Sequence, residues 1–305
     1  MMTQTQENFI VPPSDLRPVV LMDICTIGVL KERKSAYDGS DERKKTRIKQ
    51  LAMMAESGLF RFSFLIAIIE KATDFTNIMN AEELSSVFQN DYDQIVYFLG
   101  RENILESREL LSTMIGHLVD PRFKMEERAE LSIPKSLGLL SFFNSLGISS
   151  TPAKHLRFDL ANRVAIEGER LGLAKGYPSI AICVASIYGC EEARKILKIK
   201  KNGGGFNPSN CLGDIMTFYR MAKARHVIQS NIGDIPVIFR TEDAALENLH
   251  GYMETCVVRE NEDEGSVMNT RCLSPEKFFP ALFKEGKCTD EKELGRLYSL
   301  LDFVV

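Results

Sequence analysis

Arg17-Pro18-Val19-Val20-Leu21-Met22-Asp23-Ile24-Cys25-Thr26-Ile27-Gly28 is the stretch on which the reading of the fold turns. Val19 to Met22 form an unbroken apolar run, bounded by Pro18 on one side and by Asp23 on the other. A short continuous run of this kind suits a strand buried on both faces. The acid then stands at the strand's carboxyl end, where open α/β sheets place their ligand sites. The pattern returns late in the chain as Ile235-Pro-Val-Ile-Phe-Arg-Thr241-Glu-Asp243-Ala-Ala-Leu246: an apolar run, a Thr, an Asp, then helix-like sequence. Two such strands are expected to meet at one edge of a parallel sheet, and that edge is expected to be a metal site.

The totals restrict the classes open to the chain. Its 305 residues hold one large or two small domains. A net charge of −4 gives no global basic field, so any claim on nucleic acid must rest on local patches. Seven Cys occur, an odd number without a C-x-x-C pair, which points to reduced thiols in a cytoplasmic protein and away from a disulfide framework or zinc. His117, His155, His226 and His250 stand at no ligand spacing. The N-terminus lacks the basic-then-apolar pattern of a signal peptide. No apolar run approaches the roughly 18 residues of a membrane span, so no membrane partner is expected.

Between the two acid-ended strands the expectation is mostly helical. Residues 26–33 read as a helix start and 34–41 as a loop. A helix over 42–57 is capped by Ser40 or Asp41 and stopped by Gly58, with Ile48, Leu51, Met54 and Ala55 inward. Leu59 to Ser63 alternates as a second strand and runs into the apolar helix Phe64-Leu-Ile-Ala-Ile-Ile-Glu70, where Glu70 is an acid in buried surroundings. From 76 to 178 amphipathic stripes recur: Leu84, Val87, Phe88, Ile95 and Leu99, then Ile104, Leu111, Ile115 and Leu118. A helix over 157–172 follows. Residues 177–189 are a buried strand or a buried helix, with Ala and Cys content tilting toward helix. Residues 207–225 and 242–249 read as helices. Beyond 254 come an acidic loop around Glu260 to Glu264 and two amphipathic pieces, 275–284 and 290–303. The apolar faces within 80–118 and 290–303 serve a homodimer contact or the core equally well.

Four acids stand out by context: Asp23 after the first strand, Glu70 in its apolar helix, Asp214 early in a helix, and Asp243 after the late strand. Their order resembles the PIN-domain nucleases, in which an Asp closes strand one, an acid follows strand two on a helix, and a third begins a helix of the form seen in Asp214-Ile-Met-Thr-Phe-Tyr-Arg-Met-Ala222. The last of the four sits in a Thr-x-Asp turn, here Thr241-Glu242-Asp243. The resemblance covers about 17–75 and 205–250. It implies an α/β fold, a PIN-like parallel sheet flanked by helices, with nuclease segments at 17–75 and 176–254. A helical insertion at 76–175 and a C-terminal extension at 255–305 complete that organisation. It further implies a metal-dependent ribonuclease or endonuclease using one or two Mg²⁺ or Mn²⁺ ions. RNA or single-stranded nucleic acid would be the partner, with an inhibitor or regulator protein as in toxin and defence modules. Asp23 and Asp243 would touch the metal, Glu70 and Asp214 would complete the shell, and Thr241, Asn207 and Asn210 would support it. Hard cations take carboxylate and water oxygens, and they stabilise the anionic state of phosphodiester hydrolysis. The chain departs from the family in the long interval between Glu70 and Asp214. It departs again in reading Asp-Ile-Cys-Thr where relatives carry Asp-Thr-Asn or Asp-Ser-Asn.

Plainer readings stand beside these. An Asp at a strand end is commonly a helix cap, and an acid in a first helical turn complements the helix dipole. The alternative function is a catalytically degenerate PIN-like module that binds RNA or a protein. Two basic faces, one with Lys44, Lys45 and Arg47 and one with Lys198, Lys200 and Lys201, are phosphate-gripping candidates or solvated helix surfaces. Gly203-Gly-Gly205 lacks the Lys-Ser/Thr of a P-loop, and Cys25 has no His beside it in sequence.

Overall fold

The computed structural model describes residues 16–74, 77–120, 133–198, 206–261 and 265–303. In chain order they form β1 (Val19–Met22), α1 (Ile24–Lys31), α2 (Arg33–Asp38), α3 (Glu42–Glu56), β2 (Arg61–Ser63), α4 (Leu65–Ala72), α5 (Ala81–Leu99) and α6 (Arg108–Leu118). Then follow α7 (Ile133–Ser145), α8 (Lys154–Arg170), α9 (Pro178–Ile187), α10 (Glu191–Leu197), α11 (Ser209–Ile232), β3 (Val237–Arg240) and α12 (Ala244–Tyr252). The last elements are β4 (Met253–Asn261), β5 (Gly265–Cys272), α13 (Pro275–Phe278), β6 (Phe283–Lys284), β7 (Lys287–Cys288) and α14 (Glu291–Leu301). The chain divides into two compact units, one drawn from Met1–Phe123 and Ala224–Asp243, the other from Lys124–Lys223 and Ala244–Val305.

The first unit is an α/β layer built on a parallel sheet of order β2-β1-β3. β1 lies in the middle, with Val20 opposite Phe62 on one side and Ile238 on the other. That central place explains the unbroken apolar sequence: every residue of β1 is at most 1% exposed. A fourth lane extends the sheet beyond β2. Phe62 bridges Ile104 in parallel, and Leu105 N–H donates to the Phe62 carbonyl at 2.9 Å. Helices cover the sheet because their apolar stripes meet one core, in which Val20, Met22 and Phe62 join Ile27, Leu51 and Phe88.

Several boundaries differ from the sequence expectation for physical reasons. The apolar stripes of α5 and α6 are buried in the core of the first unit through Leu84, Phe88, Ile95, Leu99, Leu111 and Ile115. Residues of 77–120 therefore share one core with β1 and β2. Those stripes, with Leu297 and Leu301 of α14, face core rather than solvent. The expected loop at 34–41 is largely the short helix α2. Asp41 does cap α3, accepting from Lys44 N–H at 3.1 Å, and Gly58 ends it at φ 63°. β2 begins two residues later than the alternation of Leu59 to Ser63 suggests.

In the second unit the ambiguous 177–189 segment is the helix α9, whose ten residues are all buried. Pro178 at its first turn lacks only an N–H that would have no partner there. The small side chain of Gly168 lets α8 approach α9, since a Cβ at that position would meet Ile180 Cδ1 at 2.5 Å. The tail after 254 is not simply an acidic loop. β4 and β5 pair antiparallel from Met253–Cys272 to Asn261–Gly265, with a register shift between Val257 and Arg259. Within this hairpin Glu254 pairs with Arg271, while Thr255 and Thr270 are buried.

Candidate functional site

The carboxyl edge of the parallel sheet brings two of the four singled-out acids onto adjacent strands. Met22 is in register with Arg240, so Asp23 and Thr241 leave the sheet at the same level. Asp23 is 3% exposed and serves as the N-cap of α1, its Oδ1 accepting from Thr26 N–H at 2.7 Å. Its own N–H donates to the Arg240 carbonyl at 3.1 Å, and Thr26 Oγ1 donates to the same carbonyl at 2.9 Å. The Arg240 carbonyl thus ties the start of α1 to the end of β3. Thr26, three residues past Asp23, is itself fully buried.

On the β3 side, Thr241 is fully buried and its Oγ1 accepts from Asp243 N–H at 3.0 Å, which fixes the turn. Asp243 itself is half-buried. Between them, Glu242 holds two guanidinium groups: Arg47 Nε at 2.6 Å and Arg240 Nε at 3.1 Å. Arg47 also donates to the Thr241 carbonyl at 2.5 Å, and Arg240 donates to the Arg47 carbonyl at 3.2 Å. The side chains of Arg47, Arg240 and Glu242 are only 8–11% exposed. Arg47 is therefore no part of an outer basic face, since it reaches inward from α3 and clamps the turn. The sequence singled out Asp243 and passed over Glu242, because nothing local to Thr-Glu-Asp tells which acid meets a helix 195 residues away.

Glu70 lies on α4 in the same unit and is half-buried, not enclosed as expected; Ile66, Ala67, Ile68 and Ala72 take the interior face. Glu106, at the end of the fourth lane, is enclosed instead. It is 2% exposed and accepts from Ser63 Oγ at 2.5 Å and from Phe64 N–H at 3.2 Å, while its backbone carbonyl accepts from Tyr92 Oη at 2.8 Å. Burial pushes its carboxyl up to about 7, against the lowering pull of the Ser63 hydroxyl and the Phe64 N–H. Ile104-Leu105-Glu106 has the same apolar-then-acid form as the first strand. It is too short to be recognised as a strand without its partner.

Lys198, Asn207, Asn210 and Asp214 lie in the second unit. Asp214 Oδ2 accepts from Lys198 Nζ at 3.0 Å, and the same ammonium donates to the Asn210 carbonyl at 2.8 Å. Lys198 closes α10 in a left-handed conformation, φ 49°. Asn207 Oδ1 accepts from Ser209 N–H at 3.0 Å at the start of α11. Nearby, Thr217 Oγ1 lies 2.9 Å from His250 Nε2, and the imidazole stacks on Phe218 at 3.9 Å. Lys200 and Lys201 lie outside the described residues. On α3, Lys45 pairs with Glu42 at 2.8 Å, and Lys44 is exposed.

Asp23, Glu70 and Asp243 offer the oxygen donors that Mg²⁺ or Mn²⁺ takes. Among the described residues, however, no three His, Cys, Asp or Glu side chains are gathered to hold an ion. Among them, too, no helix is long and apolar enough to cross a membrane. Comparison with family models, with curated proteins and with solved structures finds no match for the chain.

Proposed function

We propose that the protein is a metal-dependent nuclease of the PIN type, cutting RNA or single-stranded nucleic acid at the carboxyl edge of the parallel sheet. The observation that carries this reading is the parallel pairing of β1 with β3, which sets Asp23 beside the Thr241–Asp243 turn. A central strand ending in an acid, next to a strand ending in Thr-x-Asp, is what the family resemblance implies. Asp23 and Asp243 are the carboxylates assigned to the ion, with Glu70, on α4 of the same unit, assigned to join them. Asp23 and Asp243 would hold an Mg²⁺ or Mn²⁺ ion, which would supply Lewis acidity at that edge. The chain's own contribution is orientation: the Arg240 carbonyl fixes the Asp23 cap, and Arg47 with Thr241 fixes the turn carrying Asp243.

A second reading has its own support. Asp23 already caps a helix, and Asp214 lies in the other compact unit with Lys198. A module of this family that has lost cleavage and binds RNA or a protein would use its acids in this structural way.

One experiment separates the two. Labelled RNA and single-stranded DNA are incubated with the protein and Mn²⁺, Mg²⁺ or chelator, beside a folded Asp23→Asn/Asp243→Asn variant. The nuclease reading expects cutting that requires metal and disappears in the variant. Absence of cutting by well-folded protein at high concentration transfers the assignment to the binding module.

A further inference from the structure

α4 starts without a cap of its own. Its N-cap residue is Phe64, which has no side-chain oxygen to offer the first helical N–H groups. Those groups are served from outside. Ser63 Oγ accepts from Leu65 N–H at 3.1 Å, and both oxygens of the Glu106 carboxyl accept from Phe64 N–H at 3.2 Å. Ser63 Oγ in turn lies 2.5 Å from Glu106 Oε1. An acid of the fourth lane thus completes the start of the helix that follows β2.

The bonds that fasten the fourth lane converge on the same corner. The lane follows a 3₁₀ turn, Arg101–Asn103, and joins β2 through the Phe62–Ile104 bridge and the bond from Leu105 N–H to the Phe62 carbonyl. The Glu106 carbonyl takes Tyr92 Oη from α5. The charges around this corner are engaged elsewhere. Arg61 of β2 donates to the Glu102 carbonyl, and Arg101 donates to the Ile104 carbonyl at 3.1 Å. Asp91 of α5 pairs with Lys31 of α1, and Asp93 pairs with Arg108 of α6, whose guanidinium lies 5.0 Å from the Tyr92 ring. Glu102 and Glu109 are exposed, and α4 brings Glu70 and Lys71 only in its last turn. The donors that face the Glu106 carboxyl are neutral groups, chiefly the Ser63 hydroxyl and the Phe64 N–H, with Arg101 acting on it only weakly. A buried carboxyl so placed keeps its proton to about 7.

We propose that Glu106 is a proton-operated latch on this corner. With its proton it fastens the start of α4 and the fourth lane to the end of β2. Without it, the corner opens locally while β1 and the rest of the first unit stay folded. Opening lets water reach a carboxylate that the closed corner surrounds with neutral donors alone. It also frees the Phe64 and Leu65 N–H groups where β2 reaches the carboxyl edge of the sheet. The latch needs no metal and no nucleic acid, so it stands or falls apart from the nuclease reading.

Hydrogen exchange of the full chain tests it, read by mass spectrometry without denaturant and corrected for the intrinsic pH dependence of amide exchange. The closed corner holds its proton up to about 7, and an opened one releases it near the ordinary 4.5. Opening therefore becomes about tenfold easier per pH unit from 5 to 7 and levels off above 7. Protection of peptides covering Phe62–Leu65 and Ile104–Glu106 is expected to fall along that profile. Val19–Met22, paired on both sides, are expected to stay more protected than the corner at every pH. Glu106→Gln cannot ionise and is expected to give a flat profile. Ser63→Ala removes a donor that favours the charged form, so its profile is expected to level off at a higher pH than the parent's; it keeps the test alive if the Gln variant fails to fold. No pH slope in the parent, the parent's slope in Glu106→Gln, a Ser63→Ala profile that coincides with the parent's, or a corner that exchanges only together with Val19–Met22 overturns the latch.

Discussion

Glu106 is the residue whose environment is most sharply defined. An acid enclosed by Ser63, the Phe64 N–H and Tyr92, with its carboxyl at about 7, is held protonated in the fold at a pH where the unfolded chain has already released the proton. Its folded value lies above the ordinary 4.5, so its contribution to stability is fully present below pH 4.5 and is lost as pH rises through 7. The span corresponds to roughly 3 kcal/mol. Tyr92 feels the same burial, which raises its phenol, and Arg101 and Arg108 pull in the opposite direction. Glu106→Gln keeps the shape and an acceptor for Ser63 but does not titrate. Denaturant melts between pH 4.5 and 7.5 are expected to show stability falling with pH in the parent and a shallower fall in the variant. Equal slopes in the two proteins would mean that Glu106 is ionised in the fold throughout.

At the level of elements, close approach between helices governs the second unit. A Cβ on Gly168 would stand 2.5 Å from Ile180 Cδ1 and 2.8 Å from its Cγ1, and Ile180 is itself 1% exposed. In an exposed helix Gly→Ala stabilises by up to about 1 kcal/mol. Gly168→Ala is expected to do the opposite, costing about 1–3 kcal/mol, because α8 must move off α9 or Ile180 must leave its rotamer. A melting temperature at or above the parent's would show that the helices have room to spare.

The same scale explains what could be read from the residues beforehand. β1 was legible as an apolar run closed by an acid, because a strand covered on both sides needs no alternation, and β3 as an apolar run leading into the Thr241–Asp243 turn, although its Ile238 is exposed. α3 was legible from Asp41 and Gly58, whose chemistry marks helix ends locally. The hairpin of β4 and β5 was not, since the Glu260–Glu264 acids suggested a loop and the cross-strand Thr255–Thr270 and Glu254–Arg271 pairs exist only once the register is set. In the candidate site, Asp23 and Asp243 were legible from position. The Arg47–Glu242–Arg240 network and the Ser63–Glu106 contact were not, because their partners come from other elements. The placement of Asp214 with Lys198 in the other unit likewise depends on how the chain is divided in space.

At the scale of the whole molecule, the first unit is assembled from two distant parts of the chain, and β3 comes from the later one. A chain ended after Gly233 keeps β1 and β2 but loses the strand that pairs with Val19–Met22. β1 would then be an apolar edge, and such edges recruit other chains. The truncated protein is expected to elute as soluble aggregate and to bind a hydrophobic dye, whereas the full chain does neither. A monodisperse truncated species with native near-ultraviolet circular dichroism would show that the sheet tolerates the loss.

The late arrival of β3 also sets a clock. More than two hundred residues leave the ribosome between Met22 and Val237, an interval on the order of 10–40 s at ordinary synthesis rates. During that time Asp23 has no Arg240 carbonyl to hold its cap, and the Thr241–Asp243 turn has not been made. A nascent chain, or one released early by a broken message, carries only half of the acidic edge. Whatever that edge does is therefore withheld until translation has passed residue 243.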